Sequence, residues 1–201
     1  MLPSRLVDAL FPSACFGCRA VGELLCAACR PGAAFKIRLG PANLDVVAVG
    51  PYAGALKRAV LAYKRGRRDV GDTLATLLAT RLARALPASA VLVPVTTAAH
   101  RRRARGFDQG VRLAERLGEA LGVPVLVALE RRAATPQHGR SRAARLAARG
   151  RFGCASATMV QGMCVVLVDD VVTTGATLAE CAAVLRAHGA VVRTAAVIAI
   201  A

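Results

Sequence analysis

Strands alternating with helices predict an α/β chain, a parallel sheet with helices on its faces. Two observations carry this. Short apolar runs at 91–95, 123–128, 165–168 and 191–200 read as buried strands, and residues 109–121 and 176–188 between them have helical spacing. The second is punctuation, since those helices run into Gly122 and Gly189. Upstream, 44–49 reads as a short strand, 51–54 as a turn and 55–63 as a helix. A basic loop, 64–68, follows. Residues 72–86 read as an amphipathic helix capped by Asp72 or Thr73 and stopped by Pro87.

The 201 residues suffice for one ordinary domain plus a small appendage. With 55% hydrophobic and 20% charged residues the chain is globular, not disordered. Aromatics are scarce and Trp is absent, so Ala, Val and Leu must build the core. Lys and Arg number 28 against 12 Asp and Glu, a net charge of +16. Such a surplus repels itself unless it meets anions, which points to phosphates or nucleic acid as partners. Only three of the basic residues are Lys; biased codon usage would favour Arg over Lys but would not explain the shortage of acids. The longest apolar stretch is broken by Arg193 and too short to span a bilayer. Arg5 and Asp8 interrupt any signal-peptide core, and Pro12 sits where a lipoprotein signal wants an aliphatic residue. A cytoplasmic protein without membrane insertion is expected, in which cysteines serve as metal ligands or buried thiols.

Four of the seven cysteines fall within the first 29 residues. Cys15, Cys18, Cys26 and Cys29 form two Cys-x2-Cys pairs seven residues apart. Each two-residue gap lets both sulfurs of a tight turn face one ion, and two such turns complete a tetrahedral site. Four thiolates leave no open position, so the expected Zn²⁺ is structural; an iron–sulfur cluster is the alternative. A module this small has too little core to fold without the metal. Gly32, Gly40 and Pro41 punctuate the chain beyond it. The predicted division is a zinc-binding module over 1–40 and an α/β domain over 41–201.

The richest segment is 165–190, where an apolar strand ends in Asp169 and Asp170 and a turn with Thr173, Thr174, Gly175 and Thr177 leads into a helix. Unpaired N–H groups and the dipole at a helix N-terminus favour an anion, and threonine hydroxyls add donors. Gly175 is expected to let the backbone approach closely. Two carboxylates beside such a cradle suit vicinal sugar hydroxyls and Mg²⁺. No Gly-Lys-Ser/Thr follows, so the segment is not a Walker loop.

The run VVLVDDVVTTGAT resembles the phosphoribosyl-diphosphate (PRPP) motif of type I phosphoribosyltransferases. The resemblance implies that Asp169 and Asp170 take the ribose hydroxyls. It places Val171, Thr173, Thr174, Gly175, Ala176 and Thr177 around the 5′-phosphate, with Mg²⁺ accompanying PRPP. It extends over nearly the whole chain: Pro12-x2-Cys15, then Tyr63-Lys64-Arg65-Gly66-Arg67-Arg68-Asp69, Val93-Pro94-Val95 and Arg105-Gly106-Phe107-Asp108-Gln109. Thr135-Pro136-Gln137 and Arg145 follow before the PRPP motif. This order is similar to the ComF family of competence proteins, phosphoribosyltransferase-like proteins linked to DNA uptake during natural transformation. The implied architecture is a type I phosphoribosyltransferase fold behind an N-terminal zinc ribbon. Departures stand at Asp108 and Ala148, where the family has Asn, and at Arg140, where it has Leu.

Transfer of ribose from PRPP expels pyrophosphate, which needs cations on the leaving group. Residues 101–151 hold 13 Arg against four acids. Lys64 and Arg105 are the candidate catalytic cations beside Asp169 and Asp170. Arg101–Arg103 and Arg145 are secondary candidates, while Arg112 and Arg116 read as a solvated face. Gln109 reads as the start of a helix. Three functions fit: a phosphoribosyltransferase with an unidentified acceptor; a single-stranded-DNA-binding competence factor with a non-catalytic PRPP pocket; or a PRPP-sensing regulator. Partners would be PRPP, single-stranded DNA or another phosphate-rich polymer, and proteins of the DNA-uptake machinery. With so few aromatics, DNA affinity would rest on phosphate contacts more than stacking.

Overall fold

The computed structural model describes residues 13–97, 103, 106–132 and 150–201. After a knuckle of turns the chain forms β1 (Phe35–Leu39), β2 (Leu44–Pro51), α1 (Gly54–Lys64), α2 (Arg68–Leu82), β3 (Ala90–Pro94) and α3 (Gln109–Leu121). It continues through β4 (Leu129–Arg131), β5 (Phe152–Cys154), α4 (Ala157–Val160), β6 (Cys164–Val172), α5 (Ala176–Ala187) and β7 (Val191–Ile200). Among the described residues five strands pair in the order β1-β2-β7-β6-β3. The β1–β2 pairing is antiparallel and the other pairings are parallel. β4 and β5 make a separate antiparallel pair. This is the α/β architecture the alternation predicts.

Strand side chains alternate between faces, and here both faces are covered. Val47, Val166, Val168, Ala196 and Ile198 join the core beneath α1, α2 and α3. Val46, Val165, Leu167, Ala195 and Val197 pack with Leu178, Cys181 and Leu185 of α5 and with Phe152. Two-sided burial is why these strands read as unbroken apolar runs.

Some elements depart from the sequence reading for local reasons. Residues 123–128 are not a strand; they touch the edge of β3 through one bridge, Leu92 to Val125. Pro124 has no N–H for a longer ladder. The second helix begins at Arg68, so Asp72 and Thr73 lie inside it, and Thr73 Oγ1 donates back to the Asp69 carbonyl at 3.4 Å. A 3-10 turn over Ala83–Ala85 separates its end from Pro87. β6 continues through both acids to Val172.

The cysteine knuckle docks on α1 and α2. Leu24 and Leu25 are buried in the first core. Arg81 Nη2 donates to the Pro31 carbonyl at 2.6 Å, and Arg58 Nε donates to that of Phe16. Because β1 starts at Phe35, residues 35–39 already pair into the main sheet.

Candidate phosphate-binding corner and metal centre

Alternation along β6 sends the two acids to opposite faces. Asp169 shares the face of Val165 and Leu167, and Asp170 that of Val166 and Val168. Lys64, the last residue of α1, places Nζ 3.0 Å from Asp170 Oδ2. Their side chains keep 30% and 21% of their exposure, so the pair stands at the mouth of the corner and is not sealed in the core. Asp169 Oδ1 accepts the Asp170 N–H at 2.8 Å. Burial and then the Asp170 charge push Asp169 up to about 7, against the opposing pull of that N–H, of Lys64 and of Arg131.

Beyond β6, Thr173 and Thr174 are exposed and Gly175 starts α5 in the left-handed region, φ 75°. A Cβ at Gly175 would lie 2.6 Å from Leu39 Cδ1. The close approach that demands glycine is therefore that of β1. Ala176 N–H reaches Thr174 Oγ1 at 3.4 Å. The N–H groups of Thr177 and Leu178 have no partner among the described residues. Asp169, Val171, Thr173, Thr174, Gly175, Ala176 and Thr177 line one small recess, while Asp170 lies outside it, against Lys64. Its donors are backbone amides and hydroxyls at a positive helix end, a setting for an anion.

Two relationships set this corner in place, and sequence reasoning missed both. Tyr63, fully buried, donates its hydroxyl to the Gln109 carbonyl at 2.7 Å. Gln109 Nε2 donates back to the Tyr63 carbonyl at 2.7 Å, which fixes the end of α1, and with it Lys64, to the start of α3. Asp108 caps α3 by accepting from Gly110 and Val111 at 3.0 and 3.3 Å, while its other oxygen accepts Thr97 N–H at 2.9 Å. A carboxylate offers two acceptor oxygens for these three N–H groups where Asn offers one. Next to Thr97, the buried Thr96 hydroxyl has no hydrogen-bond partner among the described residues.

Arg112 and Arg116 are not a solvated face: they reach Asp72 of α2 at 3.0 and 3.1 Å and tie α3 to α2. Arg103 is exposed. Arg101, Arg102, Arg105, Pro12, residues 135–137, Arg140, Arg145 and Ala148 lie outside the described residues, so no geometry bears on those expectations.

The sulfurs of Cys15, Cys18, Cys26 and Cys29 all lie within 4.8 Å of one another. Cys26 Sγ is 3.6 Å from both Cys15 Sγ and Cys18 Sγ. A tetrahedron with Zn–S of about 2.3 Å has edges of about 3.8 Å, so the set fits one zinc ion. Gly17 is part of that fit, because a Cβ there would sit 2.3 Å from Cys29 Sγ. Cys15 is drawn down to about 6, first by Cys26 and then by the Gly17 N–H. Cys29 is pushed up to about 12 by the thiols of Cys26 and Cys18. Four thiols this close cannot ionise together without a cation, and a divalent ion resolves that conflict.

A mainly parallel sheet, five-stranded among the described residues, with a strand–acid-doublet–threonine-turn–helix unit at the carboxyl end of β6 defines a phosphoribosyltransferase-type protein, here with a four-cysteine module in front. Residues 107–200 match the phosphoribosyl transferase domain. The chain is 34% identical over 156 residues to DNA utilization protein YhgH of Salmonella typhi and of Salmonella typhimurium, covering 72% of this chain and 67% of each relative. The chain belongs to the ComF family. Among solved structures it is similar to the allosteric regulatory enzyme of purine biosynthesis, with 23% identity, a TM-score of 0.47 and coverage of 64% of this chain and 26% of that one. A second is the glutamine PRPP amidotransferase from B. subtilis complexed with ADP and GMP, with 25% identity, a TM-score of 0.43 and coverage of 60% and 25%. The chain thus spans about a quarter of either enzyme's length.

Proposed function

We propose that the corner at 168–177 binds PRPP and that the protein is a phosphoribosyltransferase acting in DNA uptake or utilisation. The observation that carries this is the convergence of Asp169, the threonine turn and the first N–H groups of α5 on one recess, with Lys64 against Asp170 beside it. In this reading Thr173, Thr174, Gly175, Ala176 and Thr177 take the 5′-phosphate. The two carboxylates take the ribose hydroxyls and are the hard oxygen donors at hand for Mg²⁺, which when bound neutralises charge on the diphosphate. Transfer breaks the bond from ribose C1′ to the diphosphate oxygen, forms one to the acceptor, and releases the acceptor's proton and pyrophosphate. Lys64 and Arg105 are assigned to the departing oxygens. The orphaned Thr96 hydroxyl, at the same sheet edge, supports an oxyanion on that side. Zinc is assigned to the four cysteines as a structural ion. We assign 1–40 to the zinc-binding module and 41–201 to the transferase domain, with β1 as the strand that joins them.

The charge of +16 and the 34% identity to a protein named for DNA utilization favour a second property, contact with single-stranded DNA through phosphates; a cytoplasmic setting alongside uptake proteins belongs to the same proposal. Among the described residues no helix is long and apolar enough to cross a membrane. Pyrophosphate release from PRPP, assayed with nucleobases, nucleosides and nucleic acids as acceptors, separates the readings. Release with one acceptor class supports transfer. Binding of PRPP without release in any mixture contradicts transfer and favours a sensor or a DNA-binding factor.

A further inference from the structure

We propose that the flank of α1 at the carboxyl edge of the sheet is the track for single-stranded DNA, with a base seated at each end of that helix: on the Tyr52 ring, where Lys57 stands, and on the Arg68 guanidinium backed by Phe107. The proposal rests on the DNA-contact reading and names its surface.

The geometry begins with the direction of α1. β2, β7 and β6 are neighbours in the sheet, and a strand spacing of about 4.8 Å puts the ends of β2 and β6 about 10 Å apart. Tyr52 follows the end of β2, and its N–H donates to the Ile200 carbonyl at the end of β7 at 2.7 Å. Lys57 Nζ lies 5.5 Å from the centre of the Tyr52 ring, while Lys64 Nζ meets Asp170 near the end of β6. Seven residues are about two helical turns, so Lys57 and Lys64 share one flank and stand about 10.5 Å apart along the axis. That rise matches the spacing of the two strand ends. With Leu56, Val60 and Tyr63 buried beneath it, α1 crosses the carboxyl edge and turns this flank toward the phosphate corner.

The second station lies at the other end of the same helix. Phe107 packs on Tyr63 with ring centres 6.1 Å apart, and the guanidinium of Arg68, the first residue of α2, stands 5.0 Å from the Phe107 ring centre. Between the stations α1 runs for about 16 Å, the length of about five bases at a rise of about 3.4 Å each.

Charge and chemistry select the occupant. No acid occurs in α1. Lys57, Arg65 and Arg68 are exposed and have no carboxylate partner among the described residues, whereas Asp69 neutralises Arg67 and Asp170 neutralises Lys64. A polyanion supplies the missing countercharge, and a base is the planar group that stacks on a half-buried ring or on a guanidinium held over one. A base on Tyr52 displaces the ammonium and frees Lys57 for the adjoining phosphate. An acidic peptide would meet the cations but leave both rings unused.

The test is anisotropy of a labelled single-stranded DNA dodecamer with the full chain, beside the same strand made abasic throughout. Tyr52→Leu should lose about 5–30-fold in affinity for the dodecamer and less than about 2-fold for the abasic strand, because only stacking is removed. A merely structural role for Tyr52 would weaken both strands alike. Lys57→Gln and Arg68→Gln should each flatten the dependence of log affinity on log salt by about 0.7. Affinity for Mg²⁺·PRPP should stay within about 2-fold in all three variants. Trp is absent and Tyr63 is fully buried, so quenching of tyrosine emission by unlabelled dodecamer reports Tyr52 and should vanish in Tyr52→Leu. Equal affinity of folded Tyr52→Leu and the parent chain for the dodecamer overturns the proposal; should that variant unfold, an unchanged salt slope in both Lys57→Gln and Arg68→Gln does so. A parent chain that binds no dodecamer refutes the DNA reading and this surface together, whereas binding that none of the three variants alters refutes the surface alone.

Discussion

Lys64 Nζ stands 3.0 Å from Asp170 Oδ2, at the point where α1 ends against the carboxyl edge of β6. The contact spans more than a hundred residues of chain. It depends on the residue before Lys64, since Tyr63 and Gln109 exchange hydrogen bonds that hold α1 to α3. The pair brings a cation to the acid that follows Asp169 on the same strand.

Removing the Tyr63 hydroxyl tests this support. Tyr63→Phe removes the hydroxyl's hydrogen bond to the Gln109 carbonyl and should cost about 0.5–1.5 kcal/mol in denaturant unfolding. PRPP affinity should fall with it, because Lys64 loses its register against Asp170. Stability unchanged within about 0.5 kcal/mol would show that the exchange is incidental.

Asp169 gives the protein a pH dependence of known sign. A carboxyl whose folded pKa is raised, here to about 7, makes the folded state hold a proton that the unfolded chain has released above about 4. Its favourable contribution is complete in acid and is lost as pH rises through 7. Asp169→Asn should therefore raise the thermal midpoint at pH 8, raise it by less at pH 5, and leave it nearly unchanged at about pH 3.5, below the unfolded value. The reverse order would mean that the acid is stabilised as an anion.

At the metal centre, Gly17→Ala would force a methyl into the space of Cys29 Sγ. The variant should bind less than one zinc per chain in elemental analysis, or release it to a chelator at least about tenfold faster. Full zinc content with unchanged release would show that the four sulfurs do not converge as described. Loss of the ion should also loosen Leu24 and Leu25 from the core beneath α1 and α2, visible as faster amide exchange there.

Much of this was legible in the sequence because it is local. The Cys-x2-Cys pairs, the strand ending in Asp169 and Asp170, and the turn into α5 are contiguous, so spacing alone points to their chemistry. The Asp108 cap was missed, although an acid immediately before a helix is its signal, and its second oxygen on Thr97 has no signal in the sequence. What could not be read are tertiary pairings: Tyr63 with Gln109, Arg112 and Arg116 with Asp72, Glu180 with Arg151 and Phe152. Two arginines at i, i+4 look solvated when their acid lies 40 or more residues away. Gly175 was read as letting the backbone approach an anion, whereas the neighbour that demands glycine there is Leu39 of β1, just before the Gly40 and Pro41 that read as punctuation.

DNA contact, if carried by phosphates, must be steeply salt-dependent. The logarithm of the single-strand association constant should fall linearly with the logarithm of salt concentration, with a slope of about −0.7 per phosphate engaged. A slope near zero between about 50 and 200 mM salt would contradict a phosphate-driven mode.

The PRPP corner is tested most directly by calorimetric titration of Mg²⁺·PRPP into the full chain and into the Asp169→Ala, Asp170→Ala double variant. The account predicts one site per chain and a loss of at least about 30-fold in the double variant, or about 2 kcal/mol. Equal affinity in the two proteins would contradict it.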